Sequence, residues 1–185
     1  DRYPGIRLHL ADMAQEDIEK ALGDDSVDLG IAFSDVRSDD VEWQPLHAER
    51  LTLTMAEGHP AEHLTVIDRA TLQSMDMVLL GPDFATRKLV DAHFLRHGLR
   101  PRIAVEASAM MTIVEIVRKS RLVTILPDVV VREQPALVTR PIEQPFDPRR
   151  VALLQRRAGY RSAATRAFVE TTQAFAAELE NSGRV

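Results

Sequence analysis

Hydrophobic and polar positions change period several times along this chain. Ile6-Arg7-Leu8-His9-Leu10 alternates apolar and polar with period two, which predicts a half-buried strand. Ile18, Ala21 and Leu22 recur at helical spacing behind Glu16-Asp17, an acidic opening suited to a helix N-terminus, and Gly23 is placed to end that helix. Val27 to Phe33 is short and almost wholly apolar, as expected of a parallel strand covered on both faces. Strand, helix, strand predicts a βαβ unit. After an acidic loop, Leu51, Leu53 and Met55 alternate with Thr52 and Thr54, predicting a strand over 50–56 closed by Gly58-His59-Pro60.

A second alternating set follows. Thr65-x-x-Asp68 has the form of a capping box opening a short helix, and Met77 to Leu80 is a strand stopped by Gly81-Pro82. Thr86 is placed to cap a helix carrying Leu89, Val90, Phe94 and Leu95, ended by Gly98 and Pro101. The strand Ile103 to Glu106 leads to Ser108, a candidate cap for the helix 109–119. Met110, Met111, Ile113, Val114, Ile116 and Val117 cover most of that helix's circumference, so it is expected to be buried on most sides. Leu122 to Leu126 and Val151 to Leu154 read as further strands, and a last helix starts near Ser162 with Phe168, Thr172, Phe175, Ala176 and Leu179 in one stripe. Alternating strands and helices imply a layered α/β fold with mainly parallel sheets.

Composition narrows the function classes. The 185 residues are 45% hydrophobic and 28% charged, enough to bury a sizeable core. Cysteine is absent, which excludes disulfides, thiolate zinc sites and thiol chemistry in this chain. A net charge of −5 argues against a surface that grips nucleic acid through phosphates. No apolar run nears the ~20 residues that span a bilayer, and Asp1-Arg2-Tyr3-Pro4 lacks the architecture of a signal peptide, so a soluble, cytoplasmic protein without a membrane partner is expected.

Catalytic signatures are missing from the pattern. There is no GxSxG, no GxxxxGK[ST] and no GxGxxG, so no catalytic residues and no cofactor are expected, and the chain is not expected to be an enzyme. His93 and His97, like His59 and His63, are four apart, but neither pair has the HExxH form, so they read as surface histidines and no metal is expected. The arginines at 149, 150, 156, 157 and 161 read as a solvated face. The stronger candidates are helix N-termini following strands, whose free N–H groups attract anions. Three such places are Met13-Ala14-Gln15, Phe84-Ala85-Thr86 beside Arg87, and Ser108-Ala109 with Thr112.

Several segments then take on a family likeness. Tyr3-Pro4 before a strand, Val27 to Phe33 after a helix, Gly98-Leu99-x-Pro101 before Glu106-Ala107, and Thr124-Ile125-Leu126-Pro127 resemble the effector-binding domain of LysR-type transcription regulators. Asp12-Met13-x-Gln15-Glu16 and Asp83-Phe84-Ala85-Thr86-Arg87 are similar to the branch that activates cyanate operons. The resemblance implies two Rossmann-like lobes joined by two crossover strands, as in type 2 periplasmic binding proteins. Lobe I would comprise residues 1–56 plus 152–185 and lobe II residues 57–151, with effector bound between them. Met13, Ala14, Gln15, Phe33 and Ser34 would line one wall, and Phe84, Ala85, Thr86, Ser108, Ala109 and Thr112 the other. The implied ligand is a small, polar or anionic molecule.

The same resemblance implies a homodimer or homotetramer, and promoter DNA held by a winged helix-turn-helix preceding residue 1. Two departures accompany it. Family members begin the domain with a strand, a short loop and a helix ahead of Tyr-Pro, so the site is expected to lack a part. A Gly-x-Gly turn ahead of the Pro127 strand is replaced by Lys119-Ser120-Arg121. A solute-binding protein of a transport system is the alternative on this fold, and an enzyme is third.

Overall fold

The computed structural model describes residues 3–34, 38–132 and 134–181, with the backbone alone for 180 and 181. Asp1, Arg2 and residues 35–37 of the expected acidic loop lie outside the described residues. The chain divides into two compact units, 1–48 with 149–185, and 49–148. The first stretch carries α1 (Gln15–Gly23), β1 (Gly30–Phe33) and β2 (Val41–Glu49). Then come β3 (Leu51–Ala56), α2 (Arg69–Ser74), β4 (Asp76–Leu80), α3 (Ala85–Arg96), β5 (Arg102–Ala107), α4 (Met110–Arg118), β6 (Thr124–Pro127), α5 (Asp128–Arg132) and β7 (Leu137–Arg140). β8 (Arg149–Arg156) and α6 (Ala163–Asn181) return to the first unit.

In unit 1 the strand order is β1-β8-β2, and β1 pairs antiparallel with β8 from Gly30↔Leu154 to Phe33↔Val151. One sheet face packs Ala32, Val41, Ala152 and Leu154 against Leu22 and Ile18 of α1. The other packs Leu46, Val151 and Leu153 against Ala176, Phe168 and Val169 of α6. Alternate residues of β8 thus serve two helices, the period-two rule of a strand covered on both sides.

In unit 2, β3 pairs antiparallel with β6 and with β7, while β4 and β5 run parallel. A parallel bridge Met77↔Val123, with Val78 N donating to Val123 O at 2.9 Å, joins the two sets into one mixed sheet. Met77 and Leu79 face the cluster that includes Leu72, Val90 and Phe94, and Val78 and Leu80 face Ile113, Val114 and Val117. This double burial is why Met77 to Leu80 is an unbroken apolar run; each such side chain contributes about 1.5–3 kcal/mol.

Several expectations are overturned. Three of the four ladders just described are antiparallel, because β3 and β8 run against the strands beside them. Ile6 to Leu10 forms no strand; Leu8 and Leu10 are exposed and no ladder partner lies beside them among the described residues. β1 starts only at Gly30, and Ile31 is half exposed. The chain passes between the compact units at 48/49 and 148/149, and β3 lies in unit 2 with its partners β6 and β7; the lobe bounds of 56/57 and 151/152 are what the family resemblance implies.

Helix boundaries differ as well. α2 is capped by Asp68, whose carboxylate accepts from Thr71 N at 2.7 Å, not by Thr65, and that bond holds its pKa below the ordinary aspartate value. The left-handed residue after α1 is Asp25 at φ 57°, not Gly23. α4 buries only Ile113, Val114 and Val117 and exposes Met111 and Thr112, because the sheet covers one of its sides.

Candidate functional site

The parallel register of β4 and β5 sets Leu80 beside Ala107, the last residue of each strand. Gly81 N donates to Ala107 O at 3.1 Å, which carries the pairing one step into the turn. α3 starts at Ala85 and α4 at Met110, so both helix N-termini leave the same strand edge. The first N–H groups of each helix lack intrahelical acceptors, and two positive dipole ends converge there. That edge brings Phe84, Ala85 and Thr86 together with Ser108, Ala109 and Thr112.

Neither hydroxyl is a cap in the way expected. The N-cap of α3 is Phe84 and that of α4 is Ala109, both in extended backbone and without a side-chain cap bond. Thr86 lies inside the first turn and is buried, whereas Ser108, Ala109 and Thr112 are exposed and Phe84 is partly so. The edge therefore offers backbone N–H groups, exposed hydroxyls and one aromatic ring.

Arg87, noted in the sequence only as a neighbour, braces this edge from beneath. Its Nε donates to Asp91 Oδ1 at 2.8 Å, and its Nη1 to Leu80 O at 2.8 Å and Glu106 Oε1 at 2.6 Å. One planar guanidinium thereby ties α3 to the ends of β4 and β5, a geometry its fixed fork of donors suits. Burial opposes the charge, yet the bonds to Asp91 and Glu106 hold the pKa above the ordinary arginine value.

The unit 1 candidates gather by other means. Gln15 Nε2 donates to Phe33 O at 3.3 Å and Gln15 Oε1 accepts from Phe33 N at 3.2 Å, clamping the start of α1 to the end of β1. Ser34 N donates to Arg150 O at 3.1 Å, and the Arg149 guanidinium lies 3.8 Å from the Phe33 ring centroid. Met13, Ala14, Gln15, Phe33 and Ser34 thus meet at one corner, with Met13 and Ala14 exposed.

The other sequence candidates resolve differently. His93 is not a surface residue: it stacks on Phe146 with centroids 4.0 Å apart, and its Nε2 meets Gln144 O at 3.0 Å. Burial pushes its pKa below the ordinary histidine value, and His97 adds to that. Among the described residues no group of three His, Asp or Glu side chains is arranged to hold a metal ion. The arginine run is not simply solvated: Arg156 pairs with Asp25, Arg161 with Glu42, and Arg157 Nε donates to Asp39 O. No helix among the described residues is long and apolar enough to cross a membrane.

Residues 1–177 match the family of LysR substrate binding domains. The uncharacterized HTH-type transcriptional regulator YwbI of Bacillus subtilis (strain 168) is 23% identical over 177 residues, which cover 95% of this chain and 59% of that protein. The CcmR regulatory domain of Synechocystis PCC6803, solved with 2-PG, superimposes with a TM-score of 0.83 at 20% identity, covering 95% of this chain and 86% of its own. The effector binding domain of QuiR with shikimate gives 0.74 at 22% identity, covering 90% and 79%. HinK of Pseudomonas aeruginosa, a LysR family transcriptional regulator, gives 0.76 at 19% identity, covering 95% and 62%. These likenesses show the fold, the α/β fold of type 2 periplasmic binding proteins expected from the sequence.

Proposed function

Because this chain belongs to the family of LysR substrate binding domains, we propose that it is the effector-sensing part of a DNA-binding transcription regulator, responsive to a small anionic metabolite. The observation that carries the ligand class is the paired edge of unit 2, where the N-termini of α3 and α4 leave adjacent parallel strands. Phe84, Ala85, Thr86, Ser108, Ala109 and Thr112 are the contacts assigned there; Met13, Ala14, Gln15, Phe33 and Ser34 are those assigned to unit 1.

The regulator YwbI, of which this chain spans about three-fifths, supports sensing over transport. So do CcmR and QuiR, whose domains hold 2-PG and shikimate. In this reading the chain is cytoplasmic and not an enzyme, and a winged helix-turn-helix elsewhere in the regulator holds promoter DNA. Effector occupancy shifts the populations of a homodimer or homotetramer and so alters how that head meets the promoter.

A thermal-shift screen against small anions, cyanate and bicarbonate included, tests this. An effector at about a hundredfold above its Kd adds ~2.7 kcal/mol, which raises Tm by several degrees in a chain of this size. Ser108→Ala and Thr86→Ala are expected to diminish the shift. A shift that survives both substitutions undamped refutes the placement, and no shift with any small anion refutes the ligand class.

A further inference from the structure

Unit 2 carries a cavity at the other end of β4 from the paired edge. Asp76 and Leu80 open and close that strand, so roughly 13 Å of strand separates the two places. The cavity has a volume of about 650 Å³ and lies against the turn after β3, helix α2 and the loop before β6, within the range of small-molecule pockets.

Its wall is built by bonds outside the sheet. Gly58, at φ 80°, donates its N–H to Glu62 Oε2 at 2.5 Å, and Arg140 Nε donates to Glu62 O at 2.7 Å. His59 Nδ1 accepts from Ala61 N at 3.1 Å, which requires the proton on Nε2; that nitrogen faces Arg121 O at 3.2 Å. The turn and the Arg121 loop are thereby latched together before any ligand arrives.

The chemistry of the lining follows from what is already committed. Asp76, the one carboxylate among the lining residues, is paired with Arg102, which holds its pKa below the ordinary aspartate value. Ser120 Oγ accepts from Leu122 N at 3.1 Å, leaving the hydroxyl proton for another acceptor. Arg121 and His63 are exposed at the rim, and Leu64, Met75 and Leu122 supply an apolar floor.

We infer that this cavity is a second ligand site, separate from the effector edge, for a small monocarboxylate with an apolar body. The carboxylate meets the Arg121 guanidinium and the Ser120 hydroxyl while the body lies on Leu64, Met75 and Leu122. A two-dimensional 1H–15N NMR titration with hexanoate, beside the uncharged hexanamide, tests it. Hexanoate is expected to give saturable shifts at the amides of His63, Ser120, Arg121 and Leu122. Both Arg121→Gln and the swap to hexanamide are expected to weaken binding about tenfold or more, the loss of one charge-assisted contact. Thr86→Ala is expected to leave hexanoate binding unchanged, which separates this site from the effector edge. Arg121 is exposed, so its variant retains the remaining spectrum. Absence of saturable shifts, an Arg121→Gln affinity equal to the parent, or shifts confined to 84–86 and 108–112 would each overturn the inference.

Discussion

The two corners that hold the candidate effector contacts solve one problem with different chemistry. In unit 2 a buried cation, Arg87, binds two carboxylates and a strand-end carbonyl, and so locks α3, β4 and β5 together. In unit 1 a neutral amide, Gln15, exchanges two bonds of 3.2 and 3.3 Å with the Phe33 backbone. The charged brace is stiff and intolerant of change, because a buried charge without partners is costly. The amide clamp is weaker and sits among exposed groups.

Removing each brace measures the difference. Arg87→Met is expected to cost about 2–3 kcal/mol in urea unfolding, since Leu80 O and Glu106 lose their donor while Asp91 and Glu106 keep access to water. Arg87→Lys rescues little, because one ammonium cannot reach three acceptors set for a fork. Gln15→Ala is expected to cost only about 1 kcal/mol, as two partly exposed neutral bonds are lost. Equal losses at the two corners would erase the contrast.

Salt sharpens it further. In about 1 M NaCl the Arg87→Met deficit is expected to shrink modestly, because the partner carboxylates are half exposed and screened, while the Gln15→Ala deficit stays the same. The smallest effect concerns pH. His93 in unit 2 has a folded pKa below its unfolded value of 6.5, so the unfolded chain binds the proton more readily. Stability is therefore full above 6.5 and declines as pH falls from there toward the folded pKa. Urea midpoints at pH 7.5 and 5.5 are expected to converge in His93→Gln relative to the parent.

How legible this was in the sequence depends on where each residue's partner lies. Met77 to Leu80 reads correctly as a strand because helices cover both faces, and nothing polar interrupts the run. β2 goes unseen, since Pro45 and the mixed burial of Val41 to Glu49 hide its period. Ile6 to Leu10 misleads in the opposite way: alternation alone makes no strand without a ladder. Residue type points to Thr65, Thr86 and Ser108 as caps, but caps are set by backbone geometry, which puts Asp68, Phe84 and Ala109 there instead. His93 stacks on Phe146 and Arg87 reaches Glu106, partners too far along the chain for any local spacing to reveal.

The pairing of Gly30 with Leu154 has a consequence for biosynthesis. The strand that completes the unit 1 sheet leaves the ribosome only after all of residues 49–148 have emerged, whereas every partner of β3 is available once β7 is made. Unit 2 is thus free to fold while the nascent chain is still growing, and β1 must wait with its apolar face uncovered until β8 arrives. Chaperone binding during translation is accordingly expected on residues 27–33 ahead of any segment of the later-born, self-contained half.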